Sequence, residues 1–212
     1  MAPLYVYALT DSPVETRVED GRTLESVPLA GIFAVCERRS ASPPISEAEL
    51  QRQHSIVMRI AEATPALLPA RFGSLVDETE LAAIVRQRAE TFREALELVR
   101  GNAQMTVRIV VKKSPSTRAA KRRPESGRAY LEQRLKDASP PALPARIDAS
   151  LEGVRPFVLD ERRKASDVGM LTLYQLVRRG DVSEYRKRLV RVPGMMVTGP
   201  WPPFAFVPEL WS

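Results

Sequence analysis

The chain has 212 residues, 44% hydrophobic and 27% charged, enough apolar side chain for a sizeable core in one large or two small domains. A single cysteine, Cys36, excludes an intrachain disulfide, and one cysteine with one histidine, His54, excludes an ordinary Cys/His zinc site. The net charge of +6 is concentrated: Lys112, Lys113, Arg118, Lys121, Arg122, Arg123 and Arg128 lie in one stretch with a single acid, Glu125, so the remainder is neutral.

The elements follow in chain order. Leu4–Leu9 is dense in strand formers and predicts a strand. The residues before Asp20 have neither the basic start nor the apolar centre of a signal peptide, and no apolar run approaches the ~18–20 residues that span a bilayer, so a cytoplasmic protein is expected. The apolar runs 24–29 and 31–36, parted at Ala30-Gly31, predict a hairpin or two consecutive strands, with Cys36 as a buried structural thiol. Ser40–Pro44 is a loop. Ser46 followed by Glu49 forms a capping box for a helix whose apolar face is Leu50, Ile56 or Val57, and Ile60, and which Pro65 ends. Leu67–Val76 predicts a strand or extended loop. Asp77 begins a longer helix through Arg100, with Leu81, Ile84, Val85, Phe92, Leu96 and Val99 at helical spacing and Gly101 as its stop.

Beyond Gly101, residues 103–111 alternate and predict a strand with one buried face. The basic stretch 112–126 carries serines and prolines and predicts an exposed loop. A helix is expected near Tyr130, Leu131 and Leu135, interrupted by Pro140, Pro141 and Pro144 and resumed at Ile147 and Leu151. Strands are expected at 155–162, 170–177 and 195–198, with a short helix at 182–190 after Asp181. From 103 to 198 the order is strand, helix, strand, strand, helix, strand, the ferredoxin-like order. The fold class expected is therefore α+β in two domains: an N-terminal α+β domain, 1–101, and a C-terminal ferredoxin-like domain, 102–212.

Few residues carry chemistry. No phosphate-cradling glycine motif is present, and Arg71-Phe-Gly-Ser74 reads as a structural turn. Asp77, Glu78 and Glu80 complement a helix start, and Asp160 to Lys164 reads as a solvated charged turn. The basic loop, Lys121, Arg122 and Arg123 above all, supports an alternative reading as a nucleic-acid-binding regulator. Against it, the strand at 103–111 has no aromatic residue, and the signature of an RNA-recognition module is missing. Thr198–Val207 sets Trp201, Phe204 and Phe206 among prolines. It predicts either a segment folded back onto the core or an apolar contact for a partner, and Trp211 is the candidate exposed anchor.

The chain resembles the gas-vesicle protein F/L family. The resemblance rests on the strand Leu4-Tyr-Val-Tyr-Ala-Leu9, on Gln53-His-Ser-Ile-Val57 and on Leu68-Pro-Ala-Arg-Phe-Gly-Ser74. It also rests on Gly127-Arg-Ala-Tyr-Leu131 and the ending Thr198-Gly-Pro-Trp-Pro-Pro-Phe-Ala-Phe-Val207, in which Phe204 stands where the family has tyrosine. It implies two α+β domains, the second a modified ferredoxin-like fold, in an accessory protein without catalysis or cofactor. The implied partners are the hydrophobic major shell protein of the vesicle and other gas-vesicle accessory proteins; no small-molecule substrate and no membrane are expected, and nucleic acid is the disfavoured alternative. Arg71, Phe72, Gly73, Pro200 and Trp201 are then either binding residues or scaffold.

Overall fold

The run Leu4–Thr10 forms the first strand, β1, and all seven of its residues are buried. The computed structural model describes residues 2–15, 23–110, 143, 145–166, 169–189 and 192–208. Strands β2 (Glu25–Leu29) and β3 (Ile32–Arg38) pair as a hairpin. Its two turn residues, Ala30 at φ 50° and Gly31 at φ 81°, take the left-handed conformations that match the twist of paired strands. With β4 (Leu67–Pro69) the antiparallel order is β2-β3-β1-β4, and β5 (Leu75–Val76) pairs with β1 as well. Pro28 sits on the edge strand, where its missing N–H costs no ladder bond.

A bulge decides how β1 is buried on both sides. Val6 pairs with Cys36 and Ala8 with Val35, so Tyr7 is the extra residue and the alternation shifts by one. Leu4, Val6 and Leu9 join one hydrophobic cluster, and Tyr5, Tyr7 and Ala8 join the other. Helix α1 (Glu47–Ala63) covers the tyrosine side with Ile56, Val57 and Ile60. Ser46 caps it by accepting the Glu49 N–H at 3.3 Å, as expected from the capping box. Leu50, expected on the buried face, is 46% exposed, because the first turns of α1 lie beside a cleft rather than over the sheet.

The helix expected from 77 to 100 is two helices, α2 (Glu78–Gln87) and α3 (Ala89–Val99), parted at Arg88 with φ −122° and ψ 23°. No glycine or proline marks the break. The change of direction lets Leu81 and Val85 from one helix, and Phe92, Leu96 and Val99 from the other, enter the same cluster. Asp77 occupies the cap position without a side-chain cap bond.

The second sheet contains β6 (Asn102–Val110), β7 (Val158–Ser166), β8 (Met170–Arg178) and β9 (Met195–Trp201) in the antiparallel order β7-β8-β6-β9. Helices α4 (Ala145–Val154) and α5 (Val182–Leu189) supply Ile147, Val154, Tyr185 and Leu189 against Met105, Val107, Ile109, Leu171, Leu173 and Val177. Three expectations are corrected. Residues 102–107 are buried on both faces of β6, not one, because the opposite face meets the first half of the protein, where Leu176 and Phe206 enter the cluster of β1. The charged run 160–164 is part of edge strand β7, not a turn; a row of charges on an edge discourages pairing with another chain. Strand β9 extends through Pro200 to Trp201, which its edge position permits. The basic stretch 112–126, including Lys121, Arg122 and Arg123, the helix expected near Tyr130, and Trp211 all lie outside the described residues.

The halves meet at Gly101, φ 69°, whose N–H donates to the Pro65 carbonyl at 2.8 Å. The Arg179 N–H donates to the Gly101 carbonyl at 3.0 Å, and its guanidinium reaches the Thr64 and Asn102 carbonyls at 3.3 and 3.4 Å.

Two predictions follow from the packing. Gly199 has φ 116°, and a Cβ there would stand 2.8 Å from the Gln104 carbonyl oxygen and 3.1 Å from the Met105 sulfur. Gly199→Ala is expected to cost about 2 kcal/mol or more and to lower Tm by roughly 4–8 °C in thermal unfolding. The second concerns alkaline pH. Burial, with the Glu25 carboxylate adding to it, pushes the Cys36 thiol up to about 12. Burial, helped by Glu161, lifts the Tyr185 phenol above its ordinary value. Each raised group stabilises the fold fully below its unfolded pKa and loses that contribution as pH rises through its folded pKa. The urea midpoint should therefore fall above about pH 9. At pH 8 the native protein should leave Cys36 unlabelled by a thiol reagent, with one equivalent reacting on unfolding.

Candidate functional site

Stretches far apart in the chain converge on one place. The Tyr5 hydroxyl is the node: it accepts the Gly73 N–H at 3.0 Å and donates to Gln53 Oε1 on α1. Gln53 Nε2 in turn donates to the Ala70 carbonyl at 3.3 Å, and the Ala70 N–H to the Tyr7 carbonyl at 2.8 Å. The turn Arg71–Ser74 is closed by the Ser74 N–H and hydroxyl, both donating to the Arg71 carbonyl at 3.3 and 2.8 Å, with Gly73 at φ 86°. The stretch forms the expected turn.

Beside Tyr5, the Tyr7 hydroxyl donates to Glu37 Oε1 at 2.6 Å, and the rings meet edge to face with centroids 5.2 Å apart. Glu37 is only 6% exposed; Arg39 bonds it directly and the Arg52 guanidinium lies 3.6 Å away. Burial, reinforced by the Glu37 contact, holds the Tyr7 phenol well above its ordinary value, so it stays a donor.

The C-terminal segment closes the site. Trp201 is half-buried at the end of β9, its indole N–H donating to Thr198 Oγ1 at 3.3 Å and its ring set edge-on to His54 at 5.6 Å. Residues Phe204–Phe206 form one 3-10 turn. Phe206 is 1% exposed, beneath the Arg162 guanidinium at 5.3 Å. Arg162 also donates to the Ala205 carbonyl at 2.8 Å, and the Ala205 N–H donates to Gln104 Oε1 at 2.7 Å. Phe204 remains 43% exposed.

Between these parts runs a cleft of about 470 Å³. Leu50, Gln53 and His54 line one side, Pro69 to Phe72 the base, and Arg162, Phe204, Ala205, Val207 and Pro208 the other side. Its rim combines exposed apolar side chains, Leu50 and Phe204, with exposed Arg71 and Arg162. Such a surface can hold an apolar segment carrying an occasional acid. Cys36 and His54 lie on opposite sides of the first sheet, since Cys36 joins the cluster under α2 and α3 and α1 covers the other face. Among the described residues no group of three or more His, Cys, Asp or Glu is placed to hold a metal, and no helix is long and apolar enough to cross a membrane.

The structure brings Phe204 together with Arg71 and Phe72 at the cleft, sets Trp201 against His54 on its far side, and buries Phe206 in the first cluster. Lys121, Arg122, Arg123 and Trp211 lie outside the described residues. Sequence reasoning missed Leu50 and Arg162 as cleft residues. The proximity of Leu50 to His54, one turn on, was the available signal for the first; nothing local distinguishes Arg162 from its charged neighbours.

Residues 3–208 match the family described as gas vesicle synthesis protein GvpL/GvpF. No curated protein matches the chain. Among solved structures, the gas vesicle protein GvpF from Anabaena sp. PCC7120 is 16% identical, with TM-score 0.69 over 98% of this chain and 99% of that one. GvpF from Microcystis aeruginosa is 14% identical, with TM-score 0.68 over 97% and 99%. The structural likeness shows a common α+β fold, and the family match over nearly the whole length shows that this chain belongs to the gas vesicle synthesis protein GvpL/GvpF family.

Proposed function

We propose that the protein is a non-enzymatic accessory factor of gas-vesicle formation that binds the hydrophobic shell protein, with the cleft between α1 and the C-terminal segment as its contact. The observation that carries this reading is the convergence of three resemblance-bearing stretches, 53–57, 68–74 and 198–207, on a cleft whose rim leaves Leu50 and Phe204 roughly half exposed. A scaffold alone has no need of two large apolar side chains facing water at one cleft, whereas a client with exposed apolar surface aggregates unless that surface is covered. Arg71 and Arg162 would fix the client's orientation through its acids or carbonyls. The protein would work in the cytoplasm at the growing vesicle, beside other accessory proteins. The two sheets are read as two units divided at Gly101, the second a modified ferredoxin-like fold.

Co-expression with the major shell protein, followed by pull-down from the soluble fraction, tests this. Wild type is expected to recover shell protein that is otherwise insoluble. Leu50→Glu combined with Phe204→Asp should reduce recovery at least about tenfold, since each change removes roughly 1.5 kcal/mol or more of apolar burial. Phe204→Tyr should retain capture. Loss of recovery with an unchanged circular dichroism spectrum supports the cleft. Full recovery by the doubly charged variant, or none by folded wild type, overturns it.

A further inference from the structure

The second sheet is covered on one face by α4 and α5 and only in part on the other. Alternation sends Val107, Ile109, Leu171 and Leu173 toward the helices, so Arg108, Val110 and Thr172 point to the opposite side. Near Leu176 that side is closed by the first half of the protein and by Phe206. At the other end Val110 is 67% and Met196 52% exposed, and Arg108 and Lys164 are exposed as well. The register sets Lys164, Thr172, Arg108 and Met196 side by side in one row across all four strands.

Neighbouring strands lie about 4.8 Å apart, so Lys164 and Arg108 are rooted roughly 10 Å from each other on either side of Thr172. Side chains of that length can meet a single carboxylate above the threonine. Among the described residues no carboxylate forms an ion pair with either cation. The sequence that follows Val110 has the same sign, with seven basic residues and one acid between Lys112 and Arg128.

We infer that this face docks an acidic, amphipathic segment of a partner protein, its carboxylates on Arg108 and Lys164 and its apolar residues on Val110 and Met196. Charge complementarity selects the acid, and the two exposed apolar side chains select an amphipathic protein segment over a phosphate backbone. No exposed aromatic ring stands in the row to stack a base, and Tyr174, one row away, packs against the first cluster. The surface is distinct from the cleft and does not depend on its role.

The test is fluorescence anisotropy at low salt with a short fluorescein-labelled peptide of alternating Glu and Val. Amide shifts of the protein locate the contact. Wild type should bind with shifts centred on Thr172, and Arg108→Glu/Lys164→Glu should weaken binding at least about tenfold. The charge-matched variant Arg86→Glu/Arg186→Glu, on exposed helix positions off this face, should stay within about twofold. Val110→Ser/Met196→Ser should also weaken binding, which a purely ionic contact would not show. The inference is overturned if folded wild type fails to bind the peptide or if both charge-reversal pairs lose binding equally. Tighter binding of a single-stranded oligonucleotide or of phosphatidylglycerol vesicles through Arg108 and Lys164 would also overturn it.

Discussion

A strand with no side facing water must find a partner within the protein for every polar atom it carries. Strand β1 is in that position, and it carries two tyrosine hydroxyls. The answer to the Tyr5 hydroxyl is Gln53 and the Gly73 N–H, which ties α1 and the Arg71–Ser74 turn to the strand. The answer to the Tyr7 hydroxyl is Glu37, a buried carboxylate that itself requires Arg39 and Arg52 nearby. An unsatisfied hydroxyl in such a place costs about 1–3 kcal/mol, so the surrounding elements have few other arrangements open to them. The cleft inherits part of its shape from this chain of requirements: Gln53, which satisfies Tyr5 and bonds the Ala70 carbonyl, lines one wall and holds Ala70 in the base.

The opposite wall is held by different means. Pro202 and Pro203 bring no backbone donor, the Phe204 and Phe206 N–H groups donate to the carbonyls of those prolines, and the Ala205 N–H is taken by Gln104. Phe206 anchors the segment in the first cluster while Phe204, two residues earlier, faces outward. A rigid short segment with one aromatic ring fixed and its neighbour free can present apolar surface without collapsing onto it.

Much of this architecture was legible because local signals and packing agree. The capping box at Ser46 and Glu49, the paired runs around Ala30-Gly31 and the strand at Met170–Val177 each became the expected element. The failures share a cause. The break at Arg88 has no local mark, and only the need for two helices to reach one cluster explains it. The second buried face of β6 arises from contact with the other half of the molecule, which a single strand's alternation does not encode. The charged run at 160–164 has the composition of a turn, yet an edge strand tolerates the same residues. The segment that supplies Phe204 to the cleft was legible, through Trp201, Phe204 and Phe206, as too apolar for a free tail. Leu50 was not, since its spacing on α1 matches the buried stripe and only the position of the helix beside the sheet leaves it outside.

Phe206 and Leu176 complete a cluster that otherwise belongs to residues 4–99. On the ribosome the order of synthesis therefore runs against the order of packing. The first sheet and its helices emerge with one side of their core open, and about a hundred further residues must follow before the ring that closes it is made. At roughly 5–20 residues per second that is a wait on the order of 5–20 s. The nascent chain thus passes through an interval in which its own apolar surface is uncovered, and it finishes its core only as its late aromatic segment arrives.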